Sequence, residues 1–530
     1  MSSKDHSNKD LVSEHNVTYG AGQANLNFKH PSGLFVLFFT EMWERFSYYG
    51  MRALLVLFLT TSLMGGGWAW DRQDALQLYG IYTGLVYLTP IIGGFIADKF
   101  LGFRWAVVIG ALLMTLGHAS MAMDTPFFFF AGLGLIILGN GLFKPNISSM
   151  VGQLYTNFPD KKDAAYTIFY MGINSGAFLG ILLCGYIGEK VGWSYGFGLA
   201  GVFMFFGMLQ FYFAKKIFGN IGLPPSKDTD SPESKSEVIA ETKDEPKHVV
   251  KDRLIVISVF AFFTIFFWMA FEQAGGSMTI FANDYTNRIL NGSSATLFKW
   301  ANAILVIVPM LILSAVLFNL FKDTFKRIAL SNLLLGSSFI IIWGMIIWML
   351  NREFQADVAE VPASWFQILN SFFIISFAPL FSKIWESKLN PSGPVKFAIG
   401  LLLLGIGFAI LAYGGSTIPQ GAQTASVSMI WLILAYWFHT MGELCVSPVG
   451  LSYVSKLSPA RFVGLMFGIW FVANFFANLL AGLTGSFIDN IINNYSITVF
   501  FLIFTFIPIL AGAIMLGLNG LLKKKMHGID

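Results

Sequence analysis

Charged residues are scarce in this chain of 530 residues. Asp, Glu, Lys and Arg together make up 12% of the sequence, whereas 55% of the residues are hydrophobic and 16% are aromatic. Soluble globular proteins carry about 25% charged residues, so this composition excludes a soluble multidomain protein and indicates one that crosses a lipid bilayer many times. The net charge of +4 is small. No basic stretch has the pattern of a nucleic-acid-binding surface, so we expect no nucleic-acid partner.

Cysteine is nearly absent as well. The two cysteines, Cys184 and Cys445, lie in apolar segments with no partner nearby in sequence, so we expect no disulfide framework, metal site or cofactor. The chain also lacks a Walker loop, a His-Glu-x-x-His motif and a Gly-x-Ser-x-Gly motif. We therefore do not expect an enzyme. Residues 1–32 contain no apolar run, so we expect no cleavable signal peptide and insertion that begins with the first helix.

Fourteen apolar segments are long enough to cross a bilayer as helices. Six occupy the first half of the chain, at 34–64, 75–97, 105–123, 127–152, 164–188 and 195–215. Eight occupy the second half, at 254–282, 298–321, 328–350, 364–385, 396–413, 427–455, 462–487 and 495–522. Residues 217–252 are rich in Pro, Ser, Asp, Glu and Lys, which is typical of a linker that does not fold.

Lysine and arginine gather in alternate loops between these segments. The basic loops contain Lys29, Lys99, Arg104, Lys161, Lys162, Lys215, Lys216, Lys322, Arg327, Lys383, Lys396, Lys456, Arg461 and Lys523 to Lys525. Loops rich in lysine and arginine remain in the cytoplasm, so the pattern predicts that both chain termini are cytoplasmic. We expect a multi-pass protein of the cytoplasmic, or inner, membrane.

The first apolar segment carries charge in its middle. On a helix, Glu41, Glu44, Arg45, Tyr48 and Arg52 fall on one side. An ionised side chain in mid-bilayer costs several kcal/mol unless it is paired or hydrated, so this side is expected to line a water-filled transport pathway. The alternative interpretation is an ion pair between Glu41 and Arg45 that serves packing alone.

The stretch Glu41-Met-Trp-Glu-Arg-Phe-Ser-Tyr-Tyr-Gly50 resembles the signature of the proton-dependent oligopeptide transporter (POT, or PTR) family, a branch of the major facilitator superfamily. The run from Gly94 to Asp98, followed by Gly102 and Arg104, is similar to a cytoplasmic loop motif of that superfamily. By itself, this run is also compatible with an ordinary solvated turn.

This resemblance implies an all-α polytopic membrane protein with the major facilitator fold, two six-helix bundles and an extra transmembrane helix pair. A weak repeat supports two related halves, because Lys144-Pro145 in the fourth helix corresponds to Ser447-Pro448 in the second half. The expected organisation is a cytoplasmic tail at 1–32, a first bundle at 33–216, a cytoplasmic linker at 217–252, a second bundle at 253–523 with the extra pair at about 298–350, and a cytoplasmic tail at 524–530.

Four further motifs resemble those of the family. They are Gly139 to Pro145 around Lys144, Phe169 to Gly176 with Tyr170 and Asn174, Phe267 to Gln273 with Trp268 and Glu272, and Gly442 to Pro448 with Glu443 and Ser447. Lys144 and Glu44 lie at similar depths, so we expect Lys144 to pair with Glu41 or Glu44 and to be released when the carboxylate takes a proton. The alternatives are a static ion pair at Lys144, interhelical hydrogen bonding by the amides, and helix packing by the carboxylates.

By resemblance, the chain is expected to be a symporter that imports di- and tripeptides with protons by alternating access. The expected proton-coupling residues are Glu41, Glu44, Arg45, Lys144 and Glu272. The expected substrate-binding residues are Tyr49, Arg52, Tyr87, Lys144, Tyr170, Asn174, Trp268, Asn370, Glu443, Ser447 and Trp470. We expect Arg52 and Lys144 to bind the peptide carboxylate and Glu443 to bind its amine.

Three other functions stay open on the sequence. One is a proton-coupled carrier of nitrate or another small solute, the second is an exporter of drug-like amphiphiles, and the third is a passive channel. Paired titratable groups at mid-membrane favour coupled transport over a channel. His118 and His439 belong to no motif that we can place, and we interpret them as hydrogen-bonded core residues rather than proton relays. The partners expected are a small peptide, protons and the lipid bilayer, with the protein acting as a monomer.

Overall fold

The computed structural model describes residues 18–19, 22–25, 30–224, 246–459 and 463–529. Fourteen long helices dominate this part of the chain. They are α1 Ser32–Thr60, α2 Arg72–Ile96, α3 Gly102–Met121, α4 Pro126–Leu154, α5 Lys162–Lys190, α6 Trp193–Phe213, α7 Lys247–Phe271, α8 Gly292–Thr324, α9 Ala329–Gln355, α10 Ile368–Glu386, α11 Gly393–Gly414, α12 Ile430–Leu457, α13 Val463–Gly485 and α14 Ile497–Lys525.

Length and hydropathy identify membrane spans within this set. Twelve helical stretches are long and apolar enough to cross a bilayer, and one of them, Arg72–Met121, contains both α2 and α3. Helix α1 is not among the twelve because Glu41, Glu44, Arg45 and Arg52 exceed the charge that such a test allows. When α1 is added and α2 and α3 are counted as two spans, the total is fourteen. The predicted fourteen spans and the all-α membrane fold are therefore confirmed.

Short elements connect the long helices. Three strands, Thr18–Tyr19, Gly22–Asn25 and His30–Pro31, pair antiparallel ahead of α1, within the region expected to be a tail. Thr286–Asn287 pairs parallel with Val427–Ser428, and Ile289–Leu290 pairs antiparallel with Ala359–Glu360. Short helices occupy Lys215–Phe218, Ser277–Ile280 and Ile488–Asn494.

The two halves of the chain repeat one packing pattern. In the first half, α1 packs on α5 and α6, α3 packs on α4 and α6, and α2 packs on α4. In the second half, α7 packs on α13 and α14, α11 packs on α12 and α14, and α10 packs on α12. The halves meet through α2 against α13 and α5 against α10. This exchange of second and fifth helices is what a two-fold axis along the membrane normal produces, as in parallel-repeat transporters.

The boundaries of the linker differ from the expected ones. Helix α7 already begins at Lys247, so 247–252 is helical rather than part of the linker. Before the linker, Lys215–Phe218 forms a helical turn after α6. Residues 225–245, the main part of the expected linker, lie outside the described residues. The division into a bundle at 33–216 and a bundle at 253–523 stays a prediction.

Small residues bring the helices close together. A Cβ atom at Gly176 of α5 would lie 2.1 Å from the backbone oxygen of Met42 in α1, and one at Gly80 of α2 would lie 2.6 Å from the Cα of Gly482 in α13. Contacts this short require glycine, as in other membrane helix pairs. Because α2, α5 and α6 enclose α1, every residue of that helix except Tyr49 and Thr60 is buried.

The extra helix pair packs outside the six-helix arrangement. Helices α8 and α9 pack on each other, and α9 also packs on α6 of the first half. Ser331 at the start of α9 donates a hydrogen bond to the backbone oxygen of Gln210 at 2.7 Å. The ring of Phe339 meets Phe39 edge-on, with centroids 5.6 Å apart. The pair therefore widens the first half without interrupting the contact between the two halves.

The loop between α2 and α3 binds the end of the first half. Gly102 has a φ of 72°, and a Cβ atom there would lie 2.4 Å from the backbone nitrogen of Pro224. The Arg104 side chain donates to the backbone oxygens of Ile221 and Gly219. The motif predicted to be a loop signature thus fastens residues 219–224, which follow α6, to the start of α3.

Candidate functional site

A cavity of about 320 Å³ lies between the two halves. Its walls come from α1, α2, α4 and α5 on one side, and from α10, α12 and the end of α7 on the other. Eleven of the residues predicted from the sequence line it: Glu41, Arg45, Tyr49, Arg52, Tyr87, Lys144, Tyr170, Asn174, Asn370, Glu443 and Ser447. Of the five residues predicted to form the stripe on α1, Glu41, Arg45 and Arg52 line this cavity, whereas Glu44 and Tyr48 do not.

Arg45 is the centre of a buried ionic cluster. Its Nε lies 2.8 Å from Glu41 Oε1 and 2.6 Å from Glu44 Oε2. Asn140 of α4 donates to the other oxygen of Glu44 at 2.8 Å. One guanidinium thus serves two carboxylates, and the second cation needed for neutrality is Lys144, one turn beyond Asn140. With all four groups ionised, their charges sum to zero.

Lys144 does not form the expected ion pair. Its ammonium lies 4.4 Å from the centroid of the Tyr87 ring, and among the described residues no carboxylate lies within ion-pair distance of it. The expectation of a direct pair with Glu41 or Glu44 is wrong for this conformation. The reason is geometric, because Arg45 shares α1 with both carboxylates and reaches them without crossing to another helix. The Lys144 ammonium is instead held by a cation–π contact at the cavity wall.

A second ion pair joins the two halves. Arg52 of α1 binds Glu272, which directly follows α7, with Nη1 3.0 Å from Oε2. The Tyr79 hydroxyl donates to the same oxygen at 3.2 Å. Arg52 and Glu272 are both buried. Glu272 does not itself line the cavity, whereas Arg52 does. A ligand that binds Arg52 therefore competes with Glu272 for the guanidinium.

The second half contributes a carboxylate of its own. Asn370 of α10 donates to Glu443 Oε2 at 2.7 Å and to Thr440 Oγ1 at 3.2 Å. Ser447 lies one turn after Glu443 on the same wall. No cation is paired with Glu443 among the described residues, so its negative charge faces the cavity supported only by the amide of Asn370.

Two predicted tryptophans do not line the cavity. Trp268 packs edge-on against Phe267 and Phe271, and only Phe271 reaches the cavity. The Trp470 ring fills the space beside Gly450, where a Cβ atom would lie 2.3 Å from it. Neither tryptophan is a lining residue, and their binding roles stay predictions.

The two histidines lie in different surroundings. His118 is buried in α3 outside the cavity, and neither of its ring nitrogens has a hydrogen-bond partner among the described residues. The expectation of a hydrogen-bonded His118 is therefore not met. His439 lines the cavity one turn before Glu443, and its ring lies against Phe408 with centroids 4.4 Å apart.

Sequence reasoning missed several polar residues of the site. Gln367 and Tyr436 line the cavity, while Asn140 and Tyr79 hold Glu44 and Glu272. Helical spacing gave a signal for three of them. Gln367 lies three residues before Asn370, Tyr436 seven before Glu443, and Asn140 four before Lys144, so each shares a helix face with a predicted residue. Among the described residues, no group of His, Cys, Asp and Glu is arranged to hold a metal ion.

The cavity is closed on the side opposite the chain termini. Arg72 at the start of α2 binds Asp284 at 2.7 Å and Asp489 at 2.8 Å, both in the second half. Glu189 at the end of α5 accepts hydrogen bonds from the backbone of Ala363 and Ser364, ahead of α10. These contacts cross between the halves, so they fasten this side.

On the side of the termini, which we call the terminal side, α5 and α10 carry exposed residues, including Tyr170 of the cavity wall. Tyr166 and Tyr170 of α5 are 36% and 43% exposed, and Ile375 and Leu380 of α10 are each 50% exposed. Nearer the closed side, α5 is almost entirely buried from Gly176 to Tyr186. Access to the cavity is therefore from the terminal side.

Comparisons with known proteins agree with this architecture. The sequence model of the POT family matches residues 104–233 and 334–499. The chain is 33% identical over 519 residues to the uncharacterized transporter YclF of Bacillus subtilis (strain 168), covering 95% of this chain and 96% of that protein. It is 34% identical over 468 residues to a di-/tripeptide transporter of Lactococcus lactis subsp. cremoris, covering 84% of this chain and 87% of that protein.

The fold is similar to solved structures as well. The crystal structure of a peptide transporter POT in complex with sulfate superposes with a TM-score of 0.75 at 29% identity, covering 98% of this chain and all of the other. The relatives and the solved structure match most of the sequence, whereas the match to the family model begins at residue 104. Family, relatives and fold are those of transporters and not of enzymes, and the chain belongs to the POT family.

Proposed function

We propose that this protein imports di- and tripeptides together with protons by alternating access. The observation that carries the proposal is the arrangement of charge in the cavity. Arg45, Arg52 and Lys144 line it on the first half, and Glu443 lines it on the second. A short peptide at neutral pH has an ammonium at one end and a carboxylate at the other, whatever its side chains, and is complementary to this arrangement.

The cationic wall suits the peptide carboxylate. Arg52 offers a planar fork that binds carboxylates with two hydrogen bonds, and Lys144 offers a point charge. The Arg52 guanidinium lies 5.1 Å from the Tyr49 ring centroid, and the Lys144 ammonium lies 4.4 Å from that of Tyr87. The two tyrosines thus hold the cations at the cavity wall while leaving hydrogen-bond donors for a ligand.

The opposite wall suits the peptide amine. Glu443 supplies the negative charge, and Asn370 fixes the orientation of its carboxylate through the 2.7 Å hydrogen bond. Tyr170 and Asn174 of α5 line the space between the two walls. Aromatic faces and amides make few demands on a ligand's side chains, which accords with a carrier of peptides of varied sequence.

Proton coupling follows from competition for Arg52. In the structure Glu272 holds this guanidinium, with Arg52 Nη1 3.0 Å from Glu272 Oε2. When a peptide carboxylate takes Arg52, Glu272 loses its counter-charge and binds a proton more readily. The ion pair across the halves is then broken, so peptide binding and protonation jointly release the closed side. Glu41, Glu44 and Arg45 form a second ionic cluster at the cavity, and a peptide carboxylate that binds Arg45 would compete with these two carboxylates in the same way.

The proposal also includes the orientation of the protein in the membrane. Basic loops with Lys161, Lys162, Lys215 and Lys216 lie on the terminal side, which we place in the cytoplasm by the positive-inside rule. The cavity then opens to the cytoplasm, as an importer requires for release. We place the protein in the inner membrane with both termini cytoplasmic, and the cavity is built from one chain, so a monomer suffices for transport.

The relatives support a peptide substrate over the alternatives. The Lactococcus lactis relative is named a di-/tripeptide transporter, and another POT structure, at 29% identity and a TM-score of 0.74, contains alafosfalin. A carrier of nitrate needs a cationic site but has no use for Glu443, since nitrate has no cationic end.

The test is competition for uptake of labelled dialanine in proteoliposomes. Unlabelled dialanine should compete, whereas N-acetyl-dialanine and nitrate should compete poorly. The Glu443→Gln variant should bind dialanine at least tenfold more weakly, because a charge-assisted contact to the amine contributes roughly 1.5–3 kcal/mol. Glu386→Gln is the matched control, since Glu386 is the last residue of α10, exposed and outside the cavity. Equal competition by nitrate and dialanine, with no effect of acetylation, would overturn the proposal.

A further inference from the structure

A second polar cavity lies at the terminal end of the second half, and α12 contributes to both cavities, with Ser447 lining the substrate site and Pro448 lining this one. It encloses about 320 Å³ where α10 and α12 end, α11 begins and α14 ends. Three lysines, two aromatic residues and two serines make up most of its lining: Lys396, Lys456, Lys523, Trp385, Tyr453, Ser392 and Ser452. No acidic side chain is among its described lining residues, and it shares none of them with the central cavity.

Positive charge is concentrated in this cavity. The Lys396 ammonium lies 4.6 Å from the centroid of the Trp385 ring, and Lys456 is close enough for the two ammonium charges to repel each other. Within the described ranges, neither Lys396 nor Lys523 has a carboxylate at ion-pair distance. By contrast, Lys525 two residues along α14 pairs with Asp252 at 2.5 Å.

An unused hydrogen-bond donor lies in the same place. The indole Nε1 of Trp385 is buried and has no acceptor among the described residues. A buried N–H group without an acceptor lowers stability, so such groups normally have a partner. Two hydroxyl groups of the cavity have partners, since Ser392 Oγ donates to Asn519 at 2.8 Å and the Tyr453 hydroxyl accepts from the Gly393 backbone at 3.2 Å. An anion in the cavity would supply the counter-charge that Lys396 and Lys523 lack.

We propose that this cavity binds a phosphate group, that of an anionic phospholipid headgroup or of free phosphate. Lysine ammonium groups act as compact charges that suit phosphate oxygens. The ends of the spanning helices lie at the depth of lipid headgroups, where tryptophan and tyrosine are enriched and basic pockets between helices bind anionic lipids. The volume is at the lower end of the roughly 300–1,000 Å³ of ligand pockets, which fits a headgroup rather than acyl chains.

The experiment uses the full chain and three variants. The first carries Lys396→Gln and Lys523→Gln together, and the second carries Lys523→Gln alone at an exposed helix end. Lys524→Gln is the matched control, because it removes the same charge from the same helix end without lining the cavity. Binding is measured by native mass spectrometry with phosphatidylglycerol or phosphatidylcholine added to the detergent-purified protein. The shift in melting temperature is measured with the same lipids and with inorganic phosphate.

We expect the protein to retain phosphatidylglycerol in preference to phosphatidylcholine and to melt at a higher temperature with it. Each lysine near a membrane surface strengthens the binding of an anionic lipid about fivefold. The double variant should therefore bind phosphatidylglycerol roughly thirtyfold more weakly, and Lys523→Gln about fivefold more weakly. Lys524→Gln should match the unaltered protein. If inorganic phosphate raises the melting temperature as much as phosphatidylglycerol does, the ligand is free phosphate. If inorganic phosphate does not raise the melting temperature, the ligand is the lipid headgroup. If both lysine variants keep the lipid retention and the melting shifts of the unaltered protein, the proposal is overturned.

Discussion

Replacing Glu272 with glutamine should shift the protein towards a conformation open on the side opposite the termini. In the structure the Glu272 carboxylate binds Arg52 at 3.0 Å and accepts from Tyr79 at 3.2 Å, so a charged contact between buried groups joins the two halves. The glutamine amide keeps the shape of the carboxylate but loses its charge. Arg52 would then be buried without a counter-charge in the closed arrangement, whereas opening lets water reach it.

The magnitude follows from the burial of this pair. The side chains of Arg52 and Glu272 are 9% and 4% exposed, and removing one partner of a buried pair costs about 3–5 kcal/mol. Glutamine can still accept one hydrogen bond, so we expect a cost of about 3 kcal/mol, or a shift in the conformational equilibrium on the order of a hundredfold.

Glu360 provides the control, because it also binds across the halves, to Lys190. Its side chain is 44% exposed, and exposed ion pairs contribute about 0–1 kcal/mol, so Glu360→Gln should shift the equilibrium less than about fivefold.

The assay is double electron–electron resonance between spin labels at Met64 and Phe487. These residues are exposed on the closed side, in the first and second halves respectively, and both native cysteines are buried and should not react. The unaltered protein and Glu360→Gln should give one short distance. Glu272→Gln should give a longer one as the main population. An unchanged distance distribution in Glu272→Gln would refute the view that this ion pair holds the halves together.

Two further predictions concern packing and topology. Gly176→Ala should lower the melting temperature, since its Cβ would lie 2.1 Å from a backbone oxygen of α1 and overpacking costs about 1–3 kcal/mol, whereas Gly134→Ala, with no atom within 4 Å, should not. Equal melting temperatures would contradict the close contact. Cysteines introduced at Lys235 and at Phe325 should both be protected from an impermeant reagent in intact cells and both react in inverted vesicles. Labelling from opposite sides would show that the predicted topology is wrong.

The sequence predicted the membrane spans well because each depends on a local property. An apolar run of the right length forms a helix in lipid wherever it occurs, so the fourteen spans were found, and their ends are mostly within a few residues of those predicted. The largest differences are at α7 and α8. Helix α7 begins at Lys247 rather than 254, because polar residues continue the helix beyond the bilayer, and it ends at Phe271 rather than 282. Helix α8 begins at Gly292 rather than 298.

Contacts between helices were harder to predict. Lys144 makes no ion pair with Glu41 or Glu44, because Arg45 binds both carboxylates. Hydropathy and spacing do not reveal which of the two cations binds them. The positions of Trp268 and Trp470 outside the cavity lining depend on helix rotation, which close contacts such as Gly80 with Gly482 determine. Tyr79 was missed for the same reason, since its partner Glu272 is on another helix. Conversely, Glu443 and Ser447 were found because both lie on one face of one helix.

The most direct test of coupled transport compares accumulation with exchange of labelled dialanine in proteoliposomes that contain the protein or its Glu44→Gln variant. Glu44 lies within the Arg45 cluster and receives a hydrogen bond from Asn140, so glutamine removes a proton-binding group while its shape is retained. With an inward proton gradient, the unaltered protein should concentrate dialanine, and a protonophore should abolish this. Glu44→Gln should fail to concentrate dialanine yet still exchange it across the membrane. Undiminished accumulation by Glu44→Gln, or accumulation by the unaltered protein that persists without a proton gradient, would contradict the account.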